Sequence, residues 1–120
     1  MQQFDLIIVG GGLAGASLAL ALRNTRLSIA LVESQPPRRA DGWDARVYAI
    51  SPANAEFLES IGAWRHLDTS RMAPIRAMQV YGDAAGRLDF SAYETGVSEL
   101  GWILESSLMA CEFCESSKRQ

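Results

Sequence analysis

The order of apolar and polar positions divides the chain into a few unequal blocks. Leu6-Ile7-Ile8-Val9 is an unbroken apolar run, the pattern of a parallel strand buried on both faces. It breaks on Gly10-Gly11-Gly12, and the Ala/Leu-rich stretch through Leu22 predicts a helix with Ala19 and Leu22 as inward positions. A second β-like run, Leu27 to Val32, ends on an acid, Glu33. Ser34 to Trp43 is a loop, because Pro36-Pro37 excludes helix and Asp41-Gly42 marks a turn. In Asp44 to Ser51 the residues Val47, Ala49 and Ile50 read as partly buried. Ser51-Pro52 then supplies a hydroxyl N-cap and a proline at the first helical position. The predicted helix carries Ala55, Leu58 and Ile61 on one face and stops at Gly62, with Trp64 and Leu67 packed beneath that end. Ile75 to Tyr81 alternates as one strand, and Gly82-Asp83-Ala84-Ala85-Gly86 turns the chain. Arg87 to Ser91 returns with Leu88 and Phe90 on a common face, which predicts a β-hairpin. Leu100 to Glu105 reads as another strand, after which Ser106 or Ser107 caps a last helix through about Cys114.

The first block carries chemistry. Gly10, Gly12 and Gly15 stand as G-x-G-x-x-G between a strand and a helix. In that setting the first glycine permits the tight turn, the second lets the backbone approach a pyrophosphate, and the third lets helix and strand pack closely. The helix N-terminus offers free N–H groups and partial positive charge to phosphates. Glu33 follows Gly10 by about the twenty residues at which a terminal acid reaches a ribose hydroxyl. The reading is a dinucleotide-binding unit. Leu6 to Leu22, about seventeen residues without a charge, also approaches a membrane span or the core of a signal peptide. Against that, no Lys or Arg precedes the run and Asp5 adjoins it. Three glycines inside a helix would also cost about 1 kcal/mol each relative to Ala.

Composition changes this picture in one respect. At 120 residues the chain supports one modest core. One β-α-β unit cannot bury both faces of its sheet, so a doubly wound domain needs further strands and helices. The expected fold is therefore α/β: a Rossmann-like dinucleotide-binding β-α-β unit with an added β-hairpin, an incomplete domain. With 48% hydrophobic residues, 21% charged and a net charge of −3, nothing suggests a nucleic-acid footprint. The two cysteines, Cys111 and Cys114, do not form the framework of a secreted domain, and a reducing cytoplasm is expected. Their C-x-x-C spacing lacks the second pair zinc would need and the strand-to-helix placement a redox motif would need. Arg38 and Arg39 could reach phosphate oxygens, but a solvated loop is the simpler reading. His66, between Arg65 and Asp68, reads as a surface residue.

Taken together, DLIIVGGGLAGASLALAL, Glu33, DARVYAIS running into a helix ending LESIGAW, QVYGDAAGRLDF and ELGWILESSLM resemble one family. It is the FAD-dependent aromatic hydroxylases of ubiquinone biosynthesis (UbiH/UbiF type), relatives of p-hydroxybenzoate hydroxylase. The likeness covers about Asp5 to Met109, and its specificity comes from Asp44-Ala45-Arg46 followed by Ala49-Ile50-Ser51. It implies FAD as cofactor, NAD(P)H as reductant, O2 as oxidant and a small-molecule aromatic substrate. No transmembrane segment is expected, with any membrane association peripheral; the oligomeric state is left unassigned. Gly10, Gly12, Leu13, Ala14 and Gly15 would cradle the pyrophosphate, and Glu33, followed by Ser34, would hold the adenosine ribose. Arg46 would lie along the cofactor near the pyrophosphate and flavin, and the segment around Glu105 and Ser106 would approach from the other side. No catalytic residue and no metal ligand is assigned. Flavoproteins also use a Gly-Asp-Ala-Ala element whose aspartate contacts the ribityl chain. Here Gly82-Asp83-Ala84-Ala85 is followed by the strand-like Arg87-Leu88-Asp89-Phe90 and reads as a hairpin turn.

After Met109 the resemblance stops, while the family continues for a much longer chain. The expected organisation is an N-terminal part of an FAD-binding domain over residues 1–110 and an aberrant or disordered polar tail over 111–120. A shifted or prematurely closed reading frame is the simplest account. Two alternatives compete with the FAD reading: a truncated non-catalytic remnant, and an NAD(P)-linked dehydrogenase fragment, against which Arg46 and its following helix argue.

Overall fold

In the computed structural model, which describes residues 1–119, three small sheets replace one continuous one. Strands β1 (Leu6–Val9) and β2 (Ile29–Val32) pair in parallel, Leu6 opposite Ile29 and Val9 opposite Val32, with helix α1 (Leu13–Ala21) crossing between them. Strands β3 (Val47–Ile50) and β4 (Ala73–Ile75) flank β7 (Gly101–Glu105), both antiparallel to it. Strands β5 (Ala77–Tyr81) and β6 (Arg87–Ser91) form the predicted hairpin. Helices α2 (Pro52–Ser60), α3 (Ala92–Thr95) and α4 (Ser106–Lys118) complete the fold. This is a mixed α/β partial domain.

Local chemistry explains the element ends. The Ser51 hydroxyl accepts the Asn54 N–H at 3.2 Å with Pro52 in the first turn. At the other end Gly62 takes φ +80°, its N–H reaching Glu59 O at 3.0 Å and the Ala63 N–H reaching Leu58 O at 3.0 Å. That pair of bonds is a Schellman motif, which satisfies carbonyls the helix leaves unpaired. The hairpin closes through Gly82 N–H to Gly86 O at 2.8 Å, so Gly82–Ala85 is a turn, as its sequence context indicates. The run expected to be one strand from Ile75 to Tyr81 splits at Arg76. Ile75 O accepts from Leu100 N–H beside β7, while Arg76 O accepts from Ala92 N–H beside β6. The chain thereby leaves one sheet for another within a single residue.

The core lies between α1, α2, β7 and α4, where Leu20, Ile61, Leu104 and Phe113 are each at most 2% exposed. Trp64 and Trp102 pack edge to face beside it, ring centres 5.2 Å apart. The inward positions of α1 are Ala16 and Leu20, while Ala19 and Leu22 are half-buried. α4 outruns its expected end near Cys114. Met109, Phe113 and Ser116 recur at helical spacing and face inward, so the stretch expected as a disordered tail packs on α1 instead. Arg119 pairs with Glu112, and Lys118 with Glu115 at 3.3 Å. Gln120 lies outside the described residues.

β1 departs from expectation in the other direction. Ile8 faces α1 and is buried, but Ile7 is 58% exposed and Val9 84%. Strand side chains alternate, and α1 covers one face only. Of Val47, Ala49 and Ile50, only Ile50 is buried. The Cα radius of gyration is 17.3 Å, against about 14 Å for a compact domain of this length. Among the described residues no helix is long and apolar enough to cross a membrane.

Candidate functional site

The turn from β1 into α1 builds the site from backbone. Gly10 takes φ +108°, a conformation open to glycine and strained for other residues. Its N–H continues the parallel ladder to Val32 O at 2.8 Å, which brings the turn beside Glu33. A Cβ on Gly15 would sit 2.0 Å from Gly10 O, so that glycine sets how closely helix and strand approach. A Cβ on Gly12 would meet nothing within 4 Å, so its backbone is open to an incoming group. Gly12 is the N-cap of α1, and no side chain caps it or places an acid in the first turn. The first-turn N–H groups at Leu13 and Ala14 therefore face outward with a partial positive charge. An open second glycine, a close third one and an uncapped helix start are what a pyrophosphate requires, so the residues fit FAD's diphosphate.

Glu33 completes this cradle. Its Oε2 accepts the Gly11 N–H at 2.6 Å, and its Oε1 accepts from Gln35 N–H at 3.3 Å and the Ser34 hydroxyl at 3.4 Å. The Gly11 bond above all, then the Gln35 bond, holds the carboxyl below its ordinary pKa, so it presents an acceptor. A cavity of about 250 Å³ adjoins it, walled by Gly11, Glu33, Pro36, Pro37, Cys114 and Ser117. The far end of helix α4, expected as an aberrant or disordered tail, supplies one wall of that space through Cys114 and Ser117.

Six of the expected residues thus lie together: Gly10, Gly12, Leu13, Ala14, Gly15 and Glu33, with Ser34 against the Glu33 carboxylate. Arg46 stands elsewhere, just before β3. Its side chain is exposed, its N–H donates to Asp44 Oδ1 at 3.0 Å, and its carbonyl accepts the Ser106 N–H at 2.9 Å. Neither Ser106 nor Ser107 caps α4. Asp44 does so from a distance, its Oδ2 accepting the Ser107 N–H at 3.0 Å. The bonds from Arg46 N–H and Ser107 lower the Asp44 pKa.

Glu105 is 3% exposed and fully engaged. Arg71 donates to both its oxygens at 2.6 Å, and the Asp44 N–H donates to Oε1 at 2.7 Å. The Arg71 bonds outweigh burial and hold the carboxyl below its usual range. Sequence reasoning missed Arg71, which is 34 residues from its partner in a short 3-10 turn with no periodicity to mark it. His66 is exposed, Cys111 and Cys114 are free thiols, and burial raises the Cys111 pKa. Among the described residues no three His, Cys, Asp or Glu side chains group to hold a metal ion.

Comparison with known proteins agrees with this geometry. A family model described as an FAD binding domain matches residues 5–49, the cradle and the loop after it. The chain is 34% identical over 116 residues to the mitochondrial ubiquinone biosynthesis monooxygenase COQ6 of Drosophila melanogaster, covering 90% of this chain and 24% of that protein. It is 30% identical over 111 residues to 3-demethoxyubiquinol 3-hydroxylase of Escherichia coli, covering 90% and 28%. A crystal structure of a mutant of P. aeruginosa PqsL superposes with a TM-score of 0.69 at 23% identity, over 98% of this chain and 31% of that one, and shares the fold. The family model and the fold mark an FAD-binding segment. The chain is similar to the N-terminal part of FAD-dependent monooxygenases of ubiquinone biosynthesis, and it spans about a quarter of the length of the curated relatives it matches.

Proposed function

We propose that this chain holds the adenosine and diphosphate end of FAD within a monooxygenase that hydroxylates an aromatic ring of a ubiquinone precursor, using NAD(P)H and O2. The observation that carries the reading is the Gly10–Gly15 turn, with Gly12 open and the Glu33 carboxylate anchored on Gly11. Bound FAD supplies hydride acceptance from NAD(P)H and the activation of O2. The chain's own residues bind and orient. Backbone N–H groups at Gly12, Leu13 and Ala14 face the diphosphate, Glu33 with Ser34 receives the ribose hydroxyls, and Arg46 offers a cation along the cofactor. We place the protein in a reducing cytoplasm, where both cysteines remain thiols, with any membrane contact peripheral.

Titrating the full chain with FAD tests this. Saturable quenching of flavin fluorescence is expected, with a thermal transition that rises with ligand; 100-fold excess over Kd adds about 2.7 kcal/mol. A folded chain that takes up no FAD overturns the reading, and displacement of FAD by NADH would favour a nicotinamide dehydrogenase instead. A second reading has its own support in the bare outer face of β1, with Ile7 and Val9 exposed. On that reading the chain by itself is non-catalytic, and FAD uptake without NADH oxidation identifies it.

A further inference from the structure

We propose that Arg71 is a positioning residue of the nucleotide site, locking the segment from Gly42 to Arg46 against the start of α4 and so fixing where Arg46 stands. The proposal rests on the reading that Arg46 lies along bound FAD.

Arg71 sits at a junction that no local pattern requires. Its Nε and Nη2 grip Glu105 in a two-pronged ion pair, and Nη2 also donates to Gly42 O at 2.9 Å. The guanidinium lies over the Trp43 ring, 3.7 Å from its centre. Glu105 passes the restraint on by accepting the Asp44 N–H, and Asp44 by accepting the N–H groups of Arg46 and Ser107. Arg46 O closes the circuit on Ser106 N–H. Residues 42, 43, 44 and 46 are each held by this one network, which is anchored on Glu105, Ser106 and Ser107 where β7 becomes α4.

The segment needs such a lock. It carries no strand ladder before Val47, so nothing in a sheet offsets the backbone entropy lost when each residue is ordered. Lysine could not replace Arg71, because the planar fork makes both bonds to Glu105 while its face stacks on Trp43.

The test uses the full chain carrying Arg71→Met, Arg46→Ala, or both. Because Arg71→Met leaves Glu105 buried without its partner, Arg71→Met with Glu105→Leu is the second variant, which removes both charges together. Amide hydrogen exchange at Asp44, Arg46 and Ser107 is expected to quicken at least about tenfold in the Arg71 variants, while α2 amides keep their protection. FAD affinity, read by flavin fluorescence, is expected to fall about tenfold. Removing Arg71 in the Arg46→Ala background should cost no more, since the restraint acts through Arg46. Additive losses, or unchanged FAD affinity in a variant whose segment exchanges fast, overturn the positioning role while FAD binding stands. Unchanged exchange overturns the lock itself. If the unmodified chain takes up no FAD, the binding reading fails, and exchange alone decides whether Arg71 locks the segment.

Discussion

β1 and β7 are built from similar material and meet different fates. Each is a short apolar strand that feeds a helix: Leu6–Val9 runs into the glycine turn and α1, Gly101–Glu105 directly into α4. Yet β7 has neighbours on both edges, and Leu104 is 1% exposed. β1 pairs on one edge only, and Val9 is 84% exposed. An apolar run records that a strand is compatible with burial on both faces; whether it is buried depends on what packs there. The consequence is a division of labour. β7 and α4 hold the core with the inner face of α1, while the junction of β1 and α1 leaves an open turn able to receive a ligand.

Single substitutions probe that division. Leu104→Ala is expected to destabilise the chain by about 2–5 kcal/mol in urea unfolding, the cost of a cavity in a closed core. Gly15→Ala should follow at about 1–3 kcal/mol, because its Cβ would collide with Gly10 O, and it should abolish FAD uptake. Gly12→Ala separates function from stability. Nothing surrounds the added methyl, so the unfolding midpoint should hold within about 0.5 kcal/mol while FAD affinity falls about tenfold. Ile7→Thr should be the mildest, within about 0.5 kcal/mol, since the side chain faces outward. A cost at Ile7 equal to that at Leu104 would erase the contrast between the strands.

Acid sharpens the same contrast. Asp44 and Glu105, which tie β7 and α4 to the loop, have carboxyl pKa values lowered in the folded state. The unfolded chain therefore binds protons first as pH falls. Their stabilisation is present above the ordinary carboxyl range and is lost as pH drops through about 4 toward the folded values. Urea midpoints at pH 7, 5, 4 and 3 should fall along that series. Glu105→Gln, lower at pH 7, should show a flatter acid limb. A parallel acid limb in that variant would remove Glu105 from the account.

Much of the candidate site's arrangement was legible because it is local in sequence. A glycine needed for positive φ at residue 10, a close approach at residue 15 and an acid at the end of the next strand are set by spacing along a few turns of chain. The Ser51-Pro52 start and Gly62 stop of α2 were legible for the same reason. Where expectation and structure part, long-range packing is the cause. The strand expected from Ile75 to Tyr81 splits because β7 and β6 claim its two halves. The polar-looking end of the chain becomes helix because Phe113 and Ser116 find α1. Serine was expected to cap α4, but Asp44, from another segment, accepts the Ser107 N–H instead.

The sequence by itself determined the β-α-β unit and the glycine–glutamate cradle, since each rests on backbone freedom and spacing that neighbouring residues dictate. Only the tertiary structure decided that β1 keeps an exposed face, that α4 walls the cavity beside Glu33, and that Arg71 secures the loop bearing Arg46. Those outcomes depend on partners far apart in the chain, such as Arg71 and Glu105, whose meeting no local pattern encodes.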